Sequence, residues 1–289
     1  MTNTLENKEK GQSHRMSTAE VGTATAFIKW AGGKQALASS LAVHFPPLSG
    51  KYFEPFLGGG SVFFELNPIE ATLTDSNGWL IDTYTAIRDD WAQVATHLDS
   101  FKNTKEEFLH VRKIRPESLE LHRRAAQFIY LNKTCFRGLF RVNRKGEFNV
   151  PYGAYDRRYY DPENLKRASQ YLKKAELHKG DFESGILGVD EGDFVYFDPP
   201  YYKLGGYSDF NRYTPDQFRA KDHVRLAALC NELDQRGVRW AVSNSDTPFV
   251  RGLYARYRFI GVSARREINL KSQERNIGEL LIVNYGSTG

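Results

Sequence analysis

Short apolar runs alternate with amphipathic helical stretches from Phe27 almost to the end of the chain, and nothing else in the sequence restricts the fold as strongly. Residues 51–56, 71–74, 176–178, 194–197, 239–243, 257–262 and 280–284 read as strands. Residues 62–66, 77–88 and 215–236 read as helices, the last with apolar positions at Val224, Leu226, Leu229 and Leu233. Strands that alternate with helices predict an α/β fold built on a mostly parallel sheet.

One stretch breaks the alternation. Residues 108–115 and 119–132 read as consecutive helices, and residues 139–151 as a hairpin turning at Asn143-Arg144-Lys145-Gly146, where glycine supplies a positive φ. This stretch is also basic. Residues 101–175 hold 18 Lys or Arg against 8 Asp or Glu, so in a chain of net charge +5 everything else sums to −5. A basic lobe set into a mildly acidic body is the layout of an enzyme with a polyanion-binding insertion. The expected organisation is a flexible tail over 1–25, a sheet domain over 26–88 and 175–289, and a mainly helical insertion over 89–174. No apolar run approaches the ~18 residues of a membrane span, so no membrane partner is expected. Residues 1–24 hold no apolar core of a signal peptide. Cys135 and Cys230 form no CxxC pair and the seven histidines show no paired-ligand spacing, so no metal site is expected.

Two motifs carry chemistry. Phe53-Glu54-Pro55-Phe56-Leu57-Gly58-Gly59-Gly60-Ser61 runs from a strand through consecutive glycines into a helix, which lets a ligand approach the backbone at a sheet's carboxyl edge. The next strand ends at Asp75, where an acid can accept hydrogen bonds from a ribose; together they suggest an adenosine-type ligand. Asp198-Pro199-Pro200-Tyr201 follows an apolar strand, and two prolines force the chain out of the sheet there. A carboxylate beside the carbonyl of Pro199 can accept both hydrogens of an exocyclic amine, and Tyr201 offers a ring on which a base can stack.

With these motifs in view, the chain resembles the Dam-type (D12 class, alpha-group) DNA adenine-N6 methyltransferases. The likeness rests on residues 27–34, 53–61, 130–133, 146–153, 198–201, 243–247 and 279–282, which follow the family's order. It implies a Rossmann-like class I methyltransferase sheet with an inserted target-recognition domain, and S-adenosyl-L-methionine as methyl donor. It further implies double-stranded DNA as partner, a cytoplasmic location on the nucleoid of a bacterial or phage-infected cell, and a cognate restriction enzyme as one conceivable companion. Trp30, Lys34, Phe56, Gly58 and Asp75 fall on positions lining the cofactor pocket, Lys34 near the methionine end. Asp181 matches an acid that bonds the cofactor's adenine amino group, with Phe182 packing on that ring. Asp198, Pro199 and Tyr201 match the catalytic motif, and Asp198 also closes the cofactor pocket.

In the insertion, Lys133, Phe136, Arg137, Leu139, Arg141, Asn149 and Pro151 match the DNA-contacting stretch. Leu139 and Pro151 stand where thymine methyl groups are touched and Arg141 where a guanine is read, which implies a GATC-like target. Phe136 replaces a wedging tyrosine, Arg137 an asparagine and Ala154 a phosphate-binding arginine. The competing reading is a catalytically silent DNA-binding regulatory module on a methyltransferase fold.

Overall fold

A computed structural model of the chain describes residues 22–202, 218–262 and 279–286. Among these, seven strands form one sheet: β1 (Tyr52–Glu54), β2 (Ala71–Asp75), β3 (Ala175–Lys179), β4 (Phe194–Phe197), β5 (Arg239–Ser245), β6 (Arg258–Val262) and β7 (Glu279–Val283). Their order is β3-β2-β1-β4-β5-β7-β6. The first five are parallel, and β7 runs antiparallel to both of its neighbours. This is the Rossmann-like methyltransferase arrangement. β4 is buried at every residue, as a central parallel strand covered on both faces must be, whereas edge strand β3 exposes Glu176, His178 and Lys179 and edge strand β6 exposes Arg258 and Gly261. Tyr52, Phe194 and Tyr196 face one apolar cluster, and Phe53, Val195 and Phe197 the other, following the period of two along a strand.

The helices are α1 (Ala38–Ala42), α2 (Ser61–Leu66), α3 (Gly78–Asp99), α4 (Lys105–Lys113), α5 (Leu121–Thr134), α6 (Pro162–Leu172), α7 (Ala220–Gln235) and α8 (Pro248–Leu253). Local chemistry sets their starts. Asn77, Thr104 and Thr247 cap α3, α4 and α8 by accepting backbone N–H bonds, and Pro162 and Pro248 stand in the first turns of α6 and α8. α3 is broken at Asp90, whose φ of −152° and ψ of 78° are not helical. No described helix is long and apolar enough to cross a membrane.

Helices α3 to α6 fall between β2 and β3 in the chain, yet they share a core with the sheet. Phe108, Ala125, Phe128 and Tyr130 are buried in the same cluster as Tyr52, Leu73 and Leu80. The hairpin is brief. Val142 bridges Phe148, Asn149 N–H donates to Arg141 at 3.0 Å, and Gly146 turns the chain at φ +79°.

Several boundaries differ from expectation. The tail expected over 1–25 ends earlier. Ala24 is buried, and Thr25 exchanges backbone bonds with the Asn164 side chain at 2.9 Å in each direction; residues 1–21 lie outside those described. The helix expected from residue 215 starts at Ala220, because Arg219 is extended and its N–H is bonded by the Asp222 carboxylate at 2.8 Å. Residues 215–217 are outside the described set. Val224, one of the four apolar positions noted in this helix, is exposed; Leu226, Cys230 and Leu233 form the buried stripe of α7.

Asn132, fully buried on α5, stitches the N-terminal strand of chain to the insertion. It accepts from Lys29 N–H at 2.9 Å and donates to Lys29 C=O at 2.8 Å and Gly138 C=O at 3.3 Å. Asn132→Ala leaves these groups without their partner, at ~1–3 kcal/mol for each stranded buried group. Urea unfolding should show a clear drop in midpoint, and an unchanged midpoint would deny Asn132 this role.

Candidate active site and nucleic-acid interface

In an open parallel sheet, ligands bind beyond the carboxyl ends of the strands where the strand order reverses. Here the reversal lies between β1 and β4: β2 and β3 are added on one side of β1, and β5 on the far side of β4. The two chemical motifs leave the sheet from those two strands, which brings them together across 144 positions of sequence, from Glu54 to Asp198.

After β1 the chain turns through Gly58 and Gly60, at φ +47° and +67°. Gly58 is needed for space as well as conformation, since a Cβ there would stand 2.7 Å from the Trp30 ring. The Asp75 carboxylate accepts from Gly58 N–H at 3.0 Å and Asn77 N–H at 2.8 Å, and its proton affinity is raised by burial. Each carboxylate oxygen has two acceptor positions, so one bond to each leaves capacity for a sugar hydroxyl. Trp30 stacks with Phe140 at 5.5 Å, joining the glycine turn to the insertion.

After β4, Asp198 meets a residue from far away in the chain. Lys34, buried to 3% exposure, places Nζ 2.7 Å from Asp198 Oδ1, 2.7 Å from the Gly32 carbonyl and 3.6 Å from Glu279 Oε1. The same ammonium lies 4.7 Å from the Tyr201 ring centre, and the Tyr201 hydroxyl donates to Glu279 Oε1 at 2.5 Å. Lys34, expected beside the cofactor's methionine end, thus shares one cluster with the expected catalytic acid. Burial pushes the Asp198 carboxyl up to about 6, Lys34 opposes that rise, and Glu279 adds to it. The group is therefore ionised above neutrality and can accept hydrogen bonds from an amine and stabilise positive charge developing there. Pro199 is buried beside it.

Phe182 and Asp181 sit differently from expectation. Phe182 is only 2% exposed, stacked with Phe56 at 5.5 Å, with the Arg225 guanidinium over its ring at 4.9 Å. It offers no open face for a base while Arg225 stays there. Asp181 is exposed and bonded to Arg225 at 3.1 Å.

The insertion gathers most of the residues expected at DNA. Phe136 is half exposed and donates its N–H to Pro151 C=O at 2.8 Å. Arg141 donates from Nε to Asn149 Oδ1 at 2.8 Å and from a terminal nitrogen to its carbonyl at 3.2 Å, while Leu139 is half-buried. Arg137 adopts φ +60°, with its N–H on the Tyr155 hydroxyl at 2.8 Å and its guanidinium near the Phe136 ring. Lys133 is mostly buried; burial first, then the like charges of Lys29 and Arg157, push its ammonium down to about 8. Lys29 and Arg157 both lie over the Tyr155 ring, at 5.9 and 4.7 Å. Sequence reasoning missed Lys29 and Tyr155 as members of this cluster. It also missed a cleft of about 580 Å³ between the end of α4 and the hairpin turn, lined by Arg112, Lys113, Arg115 and Lys145 together with Glu117 and Glu147.

Glu54 and Glu279 lie inside recognised motifs, and the sequence alone assigns neither a role of its own. Glu54 is buried at the end of β1, accepts from the Tyr52 hydroxyl at 2.8 Å, and is pushed up to about 8, first by burial and also by Asp198. An acid whose folded pKa is raised binds its proton more tightly folded than unfolded. Its contribution to stability therefore falls as pH rises from the unfolded value near 4.5 to about 8, then levels off. Glu54→Gln keeps the acceptor and removes the titration. Its melting temperature relative to the unaltered protein should rise between pH 5 and pH 8; a constant difference would refute the buried titration.

Comparison with known proteins agrees with this geometry. The D12 class N6 adenine-specific DNA methyltransferase family matches residues 30–268. Over 271 residues the chain is 38% identical to the Type II methyltransferase M1.LlaDCHI of Lactococcus lactis subsp. cremoris, covering 90% of this chain and 95% of that one. It is 40% identical over 286 residues to the Type II methyltransferase M.MjaIII of Methanocaldococcus jannaschii, covering 90% and 98%. With the DNA adenine methylase of Escherichia coli (strain K12) it shares 33% identity over 265 residues, covering 90% and 95%. A glycine turn and an aspartate motif meeting at one sheet edge, within a match spanning most of the chain, lead to one conclusion: this protein belongs to the D12 class of N6 adenine-specific DNA methyltransferases and methylates adenine N6 in DNA.

Proposed function

We propose that the protein transfers a methyl group from S-adenosyl-L-methionine to an adenine flipped out of duplex DNA at a GATC-like site. The observation that carries this reading is the cluster of Asp198, Lys34, Tyr201 and Glu279 at the sheet edge beside the Gly58–Asp75 turn. Trp30, Phe56, Gly58 and Asp75 would hold the donor, with Asp75 on the ribose and Lys34 at the methionine end. Asp181 would reach the adenine amino group once Arg225 is displaced.

Adenine N6 is a poor nucleophile because its lone pair is conjugated into the ring. Asp198 and the Pro199 carbonyl accept its two hydrogens, which favours a pyramidal amine and frees the lone pair. The N6–methyl bond forms as the sulfur–methyl bond breaks, and the sulfur keeps the bonding pair. One N6 proton then leaves, with Asp198 as its first acceptor. Orientation supplies most of the acceleration, and acceptors already aimed at the amine stabilise the charge it develops. Tyr201 stacks on the flipped ring.

Residues 89–174 serve as the recognition insertion in this reading. Phe136 fills the space the adenine vacates. Arg141, held in place by Asn149, reads a guanine, and Leu139 and Pro151 meet thymine methyls. Lys133 and Arg137 contact the backbone, where the crowding of cations around Lys133 is relieved by phosphate. The Type II names of two relatives support a role beside a cognate restriction enzyme.

The test is transfer of labelled methyl to unmethylated bacterial DNA, followed by sequencing of the modified bases. N6-methyladenine within GATC is expected, and a different motif would overturn the assignment of Leu139, Arg141 and Pro151. Asp198→Ala should abolish transfer while DNA binding in a mobility-shift assay is largely kept; surviving transfer would remove Asp198 from the catalytic role. Arg141→Ala should reduce discrimination at a single guanine by ~1–3 kcal/mol with donor affinity unchanged, and an unaltered target profile would exclude it as a base reader.

A further inference from the structure

Glu279 enters the site by topology alone. β7 runs against β5, with Glu279 opposite Ser245, so the first residue of β7 arrives at the edge from which the parallel strands leave. Its side chain is 14% exposed and makes two contacts of different kinds. Oε1 accepts the Tyr201 hydroxyl at 2.5 Å and lies 3.6 Å from Lys34 Nζ. That ammonium also carries Asp198 at 2.7 Å. One buried cation therefore serves two carboxylates, and the set of three carries a net charge of −1 when all are ionised.

The arrangement bears on how well Asp198 accepts a hydrogen bond. A carboxylate paired alone with a buried ammonium spends much of its accepting capacity on that partner, because a charge-assisted bond is among the strongest available. A second carboxylate on the same ammonium weakens that claim, and its negative charge raises the affinity of Asp198 for positive charge. The bond to the Tyr201 hydroxyl also sets the plane of the ring beside Asp198. We propose that Glu279 is a positioning residue for methyl transfer: it fixes the Tyr201 ring and draws on Lys34, so that Asp198 meets the target amine as a strong acceptor. This rests on the reading of Asp198 and Tyr201 as the groups that touch the target adenine.

The charged and titratable groups facing Asp198 come from every neighbouring element. They are Lys34 from the loop before α1, Tyr52 and Glu54 on β1, Tyr196 on β4, Tyr201 after it, and Glu279 on β7. Burial raises the Asp198 carboxyl, Lys34 and the Tyr201 hydroxyl lower it, and Glu279 raises it. Removing the charge of Glu279 subtracts an upward influence and leaves Lys34 wholly to Asp198. Asp198 then ionises at lower pH.

The experiment is single-turnover methylation of duplex DNA between pH 5.5 and 8.5, with saturating donor, for the intact protein and for Glu279→Gln, Glu279→Asp, Tyr201→Phe and Asp198→Ala. Glu279→Gln should slow the plateau rate by roughly 10- to 100-fold, on the scale of a small misplacement of reacting groups. Its acidic limb should move to lower pH, with the KM for DNA within about twofold. Tyr201→Phe, which keeps the ring and loses the hydroxyl that lowers Asp198, should reproduce part of the rate loss and move the limb towards higher pH, opposite to Glu279→Gln. Combining it with Glu279→Gln should add little, because the two then remove one shared contact. Glu279→Asp, with charge restored and reach shortened, should return the limb towards its original pH. A Glu279→Gln protein that melts earlier yet keeps the original rate and pH profile would overturn the proposal and leave Glu279 a structural residue. Should Asp198→Ala still transfer methyl, the reading of the site itself fails; an inactive Asp198→Ala beside an unaltered Glu279→Gln sinks only the role of Glu279.

Discussion

The buried ammonium of Lys34 ties together three separate parts of the chain at the carboxyl edge of the sheet. It joins the segment before α1, the exit of β4 through Asp198, and the entry of β7 through Glu279. A lysine at 3% exposure is costly unless charge and hydrogen bonds surround it, and here two carboxylates, one carbonyl and the Tyr201 ring do so. The cost of stranding any one of these groups makes the cluster a constraint on its neighbours. The Tyr201 hydroxyl has its partner in Glu279, and the chain after the two prolines is tethered through Tyr202, whose N–H reaches the Asn244 side chain at 3.2 Å.

The second constraint is aromatic. Trp30 packs against Gly58 on one side and stacks with Phe128 and Phe140 on the other, so the glycine turn and the insertion share a rigid seam. Phe140 continues into Phe148 of the hairpin at 5.8 Å. A helical insertion with a core of its own would be free to swing about its connections. This one is packed into the sheet's own cluster and stitched by Asn132 to Lys29, which holds the hairpin at a set distance from the sheet edge. Arg137 shows the demands of that surface. It holds a left-handed backbone, which asparagine tolerates better than arginine.

Much of this was legible residue by residue. The seven strands among the described residues were placed within a few positions, the central ones because they are apolar on both faces and stand out against amphipathic helices. The two motifs were legible because their residues are awkward anywhere else: consecutive glycines after a strand, and two prolines at the end of one. Errors fell where local pattern and tertiary demand part company. Val224 has an apolar side chain on an exposed face of α7, and α7 starts late because Asp222 bonds the N–H of Arg219. Gly22 to Thr25 looked like tail, but Ala24 is buried in the core and Asn164, far along the chain, bonds Thr25.

What can be read along the chain is what neighbouring residues impose on one another through backbone geometry and periodicity: the α/β class, the glycine turn, the break at Asp198, and the basic insertion. The partners of each buried charge cannot be read that way, because a carboxylate shows nothing in sequence of which cation will reach it. That Lys34 lies on Asp198 and that Glu279 shares the same ammonium follow from the order of the strands and the reversed direction of β7. These contacts join residues dozens to hundreds of positions apart, and they exist only because burial in a common low-dielectric edge makes any unpaired charge there too costly to leave.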